Sequence, residues 1–178
     1  IDAIVMKDAT TGFAYGDPVG ARWSLWKTTN GGANWDSTGL YVPQAGSEAG
    51  WNNAMKIVGN TIWFGTNNTR VYYSTNLGAN WLFGATTGTV NSYALQFNSG
   101  TNGLVGGSAM VKTTDGGVTY AANTVPGTGN ITSLGGGAGT FYWCTRGANI
   151  YRTENFGTNW ITAFTGVAAN ALWGTDMQ

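Results

Sequence analysis

Ser74-Thr75-Asn76-Leu77-Gly78-Ala79-Asn80-Trp81 is one of four matching octapeptides. The others are Thr28-Thr29-Asn30-Gly31-Gly32-Ala33-Asn34-Trp35, Thr113-Thr114-Asp115-Gly116-Gly117-Val118-Thr119-Tyr120 and Thr153-Glu154-Asn155-Phe156-Gly157-Thr158-Asn159-Trp160. Their first residues lie 46, 39 and 40 positions apart. Each begins with a hydroxyl (Thr28, Ser74, Thr113, Thr153) and has Asn or Asp third (Asn30, Asn76, Asp115, Asn155). Glycine stands fifth (Gly32, Gly78, Gly117, Gly157) and an aromatic eighth (Trp35, Trp81, Tyr120, Trp160). This is the chemistry of a tight hairpin connection. The Asn or Asp side chain bonds nearby backbone N–H groups, and the fifth glycine takes φ > 0 without a Cβ clash. The aromatic is expected to open the next strand and face the core, so that Trp81→Ala removes a core side chain.

Short alternating stretches precede each octapeptide. Before the second, Ala54-Met55-Lys56-Ile57-Val58, Thr61-Ile62-Trp63-Phe64-Gly65 and Arg70-Val71-Tyr72-Tyr73 are separated by Gly59-Asn60 and by Asn67-Asn68-Thr69. Three strands before each turn and one after it, repeating at about 40 residues, spell an all-β chain of propeller blades. The blades read as about 1–44, 51–86, 91–124 and 130–165, all four-stranded, with 167–178 the first strand of a fifth. The chain starts Ile1-Asp2, without an initiator Met or a basic-then-apolar signal segment. It therefore reads as part of a larger ring, with a leader removed or a longer polypeptide around it. Head-to-tail self-association completing the ring is the alternative.

The octapeptides resemble those of Asp-box (BNR repeat) β-propellers. The Lys27-Thr28-Thr29-Asn30-Gly31-Gly32 phrasing looks most like the photosystem II assembly/stability-factor-like propellers of secreted bacterial proteins. The resemblance covers essentially the whole chain and implies a propeller fold. The same box occurs in sialidases, xyloglucan-cleaving hydrolases and sortilin-type receptors as a structural turn at the blade periphery, so it implies no function by itself. Only Asp115 supplies the acid at the third place; Asn30, Asn76 and Asn155 keep the turn chemistry without the charge.

Composition closes several routes. The 178 residues carry eight basic and eight acidic side chains, 9% charged against about 25% in ordinary domains. No block of like charge attracts a nucleic acid or an anionic membrane surface, and no apolar run approaches the roughly 20 residues of a membrane span. The absence of histidine excludes Ser-His-Asp and Cys-His nucleophiles and imidazole ligands. Cys144 is the single cysteine and reads as a small buried side chain. No cofactor or metal is expected. Low charge with abundant Gly, Thr, Asn and Trp suits an extracellular or cell-surface bacterial protein, with the periplasm as alternative.

The remaining candidates are ligand-binding ones. Arg22, Arg70 and Arg146 fall between the second and third strands of their blades, where Ser108 replaces them in the third blade. Guanidinium groups gathered there would clamp a carboxylate, sulfate or phosphate; the alternative is three isolated loop charges. Asp17 and Glu48 are the carboxylates left after the octapeptides are accounted for, placed in loops on the same face. The long connection 41–53 carries Tyr41, Glu48 and Trp51 beside Asn52 and Asn53, the equipment of a sugar-binding loop, although Trp51 equally suits the core of the second blade. Gly135-Gly136-Gly137-Ala138-Gly139 lacks the Lys-Ser/Thr of a phosphate loop and reads as a hairpin turn. No Arg-Ile-Pro segment or Tyr/Glu pair of a sialidase is found. The expected function is a non-enzymatic scaffold for protein or glycan contacts. The alternatives are a glycan- or anion-binding module and a piece of an Asp-box glycoside hydrolase.

Overall fold

Every octapeptide closes through the same two side chains. The first hydroxyl oxygen accepts the fifth amide, at 2.9 Å from Thr28 to Gly32, 2.8 Å from Ser74 to Gly78, 2.9 Å from Thr113 to Gly117 and 3.0 Å from Thr153 to Gly157. The third side chain accepts the seventh amide at 2.8–2.9 Å while also accepting the first hydroxyl. Left-handed φ is needed at two places, the fifth and the fourth. Gly31 and Gly116 take the fourth easily; Leu77 (φ 53°) and Phe156 (φ 54°) take it against the steric preference of an L side chain. Both then pack on apolar clusters.

The computed structural model describes residues 1–166, so the strand expected over 167–178 lies outside them. The described residues form four antiparallel meanders. The first holds β1 (Ala3–Met6), β2 (Gly12–Val19) and β3 (Arg22–Thr28). The second holds β4 (Gly50–Val58), β5 (Thr61–Thr66), β6 (Arg70–Ser74) and β7 (Leu82–Ala85). β8 (Ala94–Phe97), β9 (Gly103–Gly106), β10 (Met110–Thr113) and β11 (Ala121–Asn123) make the third. β12 (Ile131–Gly136), β13 (Tyr142–Arg146), β14 (Asn149–Thr153) and β15 (Ile161–Phe164) make the fourth. The octapeptides join the third strand to the fourth in the last three sheets.

The first sheet departs from the expected four strands. After its octapeptide the chain returns along β3 through two isolated bridges, Lys27 with Asp36 and Arg22 with Pro43. Asp36 Oδ1 accepts the amide and hydroxyl of Thr38, turning the chain away after one pairing, and Pro43 has no N–H to offer a ladder. The glycine run also differs in part from the turn reading: Gly135 and Gly136 end β12, and only the residues beyond them turn.

β1 packs on β4, β4 on β8 and β8 on β12, while β12 does not pack on β1 among the described residues. The sheets thus make an arc. One apolar cluster fills each junction. Phe13, Trp23 and Leu25 meet Phe64 and Tyr72 between the first two sheets; Trp63 stacks on Phe97 at 3.8 Å between the second and third; Leu104 and Met110 meet Ile131 and Tyr142 between the last two. Each such buried side chain contributes about 1.5–3 kcal/mol. The octapeptide aromatics are not the core. Trp81, Tyr120 and Trp160 are half-buried at the cluster margins, and half-buried Trp35 borders an apolar hollow. Trp81, Tyr120 and Trp160 lead into the outermost strand of a sheet, whereas the fully buried aromatics sit on the first three strands of theirs, Phe13 on β2, Trp23 on β3, Trp63 on β5, Phe97 on β8 and Tyr142 on β13. No helix of the described residues is long and apolar enough to cross a membrane.

Candidate functional site

The four innermost strands line a cleft of about 580 Å³. Its polar lining has a local cause in β4. Between the pairs Gly50–Thr66 and Met55–Phe64, residues 51–54 stand opposite Gly65 alone. A bulge of this kind re-aims side chains. Here it turns Asn52 and Asn53 into the cleft, with Asn53 at φ 63° and its amide donating to the Asp2 carbonyl at 2.9 Å. Lys56, Gln96, Thr132 and Ser133 complete the polar lining, and Tyr93 stands at its edge.

Trp51 packs behind this lining, next to Asn52 in sequence and against Tyr93. Its ring meets that of Tyr93 edge-on at 4.5 Å, and its backbone is clamped by Tyr15: the Tyr15 hydroxyl donates to the Trp51 carbonyl at 2.7 Å and accepts its amide at 3.2 Å. The residue is half-buried. Asp17, exposed at the end of β2, accepts the Gly50 amide at 2.8 Å and so fixes the start of the bulged strand. Asp2 lies close by; burial first, and then the Asp17 charge, raise its carboxyl above the usual range, partly offset by the terminal amine.

Glu48 is not on the same face as an open carboxylate. Its side chain is fully buried, accepting from Arg70 Nη1 at 2.5 Å, the Tyr72 hydroxyl at 2.7 Å and the Ala45 amide at 3.3 Å. Burial and the bond to Glu48 push the Tyr72 phenol up to about 12. This network anchors the long connection to β6, which is why the connection holds a carboxylate at all. Asp17 and Glu48 therefore do not face each other across a bond to be cleaved.

The three arginines each serve a different connection. Arg70 also donates to the Ala45 carbonyl at 3.0 Å and lies over the Phe83 ring at 5.2 Å. Arg22 reaches the Leu40 carbonyl at 3.5 Å and covers the Tyr41 ring at 5.8 Å. Arg146 donates to the Gly129 carbonyl at 3.2 Å and to that of Val125. Holding backbone carbonyls is a structural use of a guanidinium, and the structure does not bring these three together. Cys144 is buried, and burial pushes its thiol up to about 12, far from the thiolate a nucleophile needs. Among the described residues no group of three acids or thiols could hold a metal ion.

Sequence reasoning missed Tyr93, Gln96, Thr132 and Ser133 as a lining. Each looks like an ordinary strand residue until four first strands are set side by side. Polar residues on the first strand of each blade are the signal that could have found it.

The sheet order and the cleft define the class: an arc of a β-propeller. The chain resembles propellers of the photosystem II stability-factor type and those of glycoside hydrolases. No protein-family model and no curated protein sequence matches it. Among similar solved structures, YCF48 bound to D1 peptide is 17% identical with a TM-score of 0.64, over 90% of this chain and 52% of that one. The Niastella koreensis GH74 enzyme is 16% identical with a TM-score of 0.67, over 90% of this chain and 29% of that one. The GH74 xyloglucanase from Xanthomonas campestris is 13% identical with a TM-score of 0.66, over 96% and 32%. At these identities the likeness is one of fold. The chain spans about half the length of that YCF48 chain and under a third of those GH74 chains.

Proposed function

We propose that the chain is a non-enzymatic binding module whose cleft takes an extended peptide segment of a partner protein. The observation that carries this is the lining: the exposed amides of Asn52 and Asn53 offer hydrogen bonds that a peptide backbone can use, with Ser133 beside them and with Gln96 and Thr132 held in place by their bonds to Asn98 and Thr145. The one propeller named above with a bound molecule holds a peptide. A glycan is the second reading, favoured by the Trp51–Tyr93 pair beside two asparagines, since rings stack on sugar faces and amides bond hydroxyls. A hydrolase reading needs two carboxylates flanking one bond about 5–10 Å apart, and would rest on residues elsewhere in a longer protein. The reading of an exported bacterial surface protein rests on composition. Peptide and glycan arrays probed with the whole chain separate the first two readings. Binding to peptides that is weakened by Asn52→Ala, and by Asn53→Gly, which suits the positive φ there, is the expected result. Loss of neither, or binding to neither array, refutes the cleft as the site.

A further inference from the structure

Each junction between sheets is built by one residue of a second strand meeting the next octapeptide. Thr28 pairs with Gly12, Ser74 with Ile62, Thr113 with Gly103 and Thr153 with Tyr142. The residues one step on are therefore equivalent: Phe13, Trp63, Leu104 and Trp143. Phe13 lies in the first cluster, against which Leu77, fourth in the next octapeptide, packs. Leu104 lies in the cluster against which Phe156, again fourth, packs. Trp63 instead meets a glycine: its indole N–H donates to the carbonyl of Gly116 at 2.7 Å. Size follows place: Phe13 and Leu104 share a cluster with Leu or Phe at the fourth place, and the larger tryptophan meets glycine there.

Trp143 is the fourth member, and nothing in the described arc follows it. Tyr142 and Cys144 on either side point into the junction with the third sheet, so Trp143 points the other way. Its indole lies flat on Gly135, where a Cβ would sit 2.1 Å from the ring. Its N–H is buried and has no acceptor among the described residues, an arrangement that costs free energy until one arrives. By the pattern at Trp63, that acceptor is the carbonyl of a glycine fourth in an octapeptide. The chain has one such turn outside a junction, the first, whose fourth residue Gly31 is exposed at φ 68°. Beside it Trp35 and Trp26 border an open apolar hollow of about 220 Å³ with Ile4 and Ala14. The fourth sheet offers exposed Ile161 and Phe164 on its outermost strand.

We propose that this face of the fourth sheet docks the first octapeptide of a second copy of the chain, with Trp143 donating to Gly31 as Trp63 donates to Gly116. The inference is independent of what the cleft binds. Two arcs joined head to tail at both ends close with two-fold symmetry into eight blades, within the usual range for propellers.

Light scattering on the purified 178-residue chain across a wide concentration range tests this. A dimer of about 37 kDa, twice 18.7 kDa, is expected at high concentration. Trp143→Phe, which removes the N–H and keeps a ring, should weaken dimerisation roughly ten- to hundredfold, because the two-fold dimer holds the bond twice. Gly31→Phe should abolish it by setting a large side chain against Trp143. The double variant Trp143→Leu with Gly31→Phe recreates the Leu104–Phe156 pairing and should restore it. Thermal melts verify folding, because a Cβ at Gly31 lies 3.0 Å from the Ala9 carbonyl; Trp143→Phe carries the test alone if Gly31→Phe does not fold. A monomer at every concentration, as expected of an arc completed by further blades of one polypeptide, overturns the proposal. So does a dimer indifferent to Trp143→Phe.

Discussion

Replacing Glu48 by Ala removes a carboxylate that has no exposed surface and three donors. Removing one partner of a buried ion pair costs about 3–5 kcal/mol, because the groups left behind lose their compensation. Two features move this site to the low end. Arg70 is more than a quarter exposed, so water can reach it, and it keeps the Ala45 carbonyl. The Tyr72 hydroxyl is the group left stranded. About 3 kcal/mol is therefore expected. For a chain of this size each kcal/mol moves the melting temperature by about 2–4 °C, so Glu48→Ala should melt about 6–12 °C lower in a calorimetric scan at neutral pH. Arg70→Met should cost more, since it leaves the carboxylate itself buried without a cation. A Glu48→Ala melt within about 2 °C of the parent, or an Arg70→Met variant milder than it, would refute the reasoning.

Other perturbations probe other layers. Ser74→Ala strands the Gly78 amide and should cost about 1 kcal/mol by denaturant titration; no loss would mean that water replaces the hydroxyl. Gly107→Ala places a Cβ 1.5 Å from the Asn91 carbonyl, a backbone atom that cannot swing aside, and should cost at least about 2 kcal/mol; an unchanged midpoint would contradict the close approach of the two segments. The Thr119 hydroxyl and amide hold the Asp115 carboxyl down to about 2. Because this folded value is below the unfolded one, its contribution is fully present above about pH 4 and is lost as pH falls through about 2. Asp115→Asn should therefore fold normally at neutral pH, as the other three octapeptides do with Asn, and show a shallower fall in melting temperature between those values. An identical slope would show that the carboxylate is not stabilised there.

What could be read from the sequence was what local chemistry dictates. The hydroxyl at the first place, the Asn or Asp at the third and the glycine at the fifth each make a bond or a dihedral within eight residues, and the turn is visible without the rest of the molecule. The left-handed fourth place was hidden, because Leu77 and Phe156 do not advertise positive φ and adopt it only with apolar packing from elsewhere in the fold. Trp35, Trp81, Tyr120 and Trp160 looked like core because aromatics after a turn often are; the last three open the outermost strand of a sheet, and Trp35 precedes only isolated bridges. Glu48 looked like a loop acid because its partners, Arg70 and Tyr72, lie more than twenty residues away on β6. The three arginines matched in sequence position, yet each bonds carbonyls of a different connection, a choice made by loop conformation. The cleft depends on four strands side by side, and Tyr93 and Gln96 acquire their place only from that arrangement.

Hydrogen exchange read by NMR at Gly32, Gly78, Gly117 and Gly157 tests most directly the claim that one turn chemistry, used four times, builds this arc. Each of these amides donates to a Ser or Thr oxygen at 2.8–3.0 Å. All four are expected to exchange slowly, and Thr153→Ala should release Gly157 while leaving Gly78 and Gly117 protected. Any of the four exchanging as fast as an exposed loop amide in the parent chain would contradict the account.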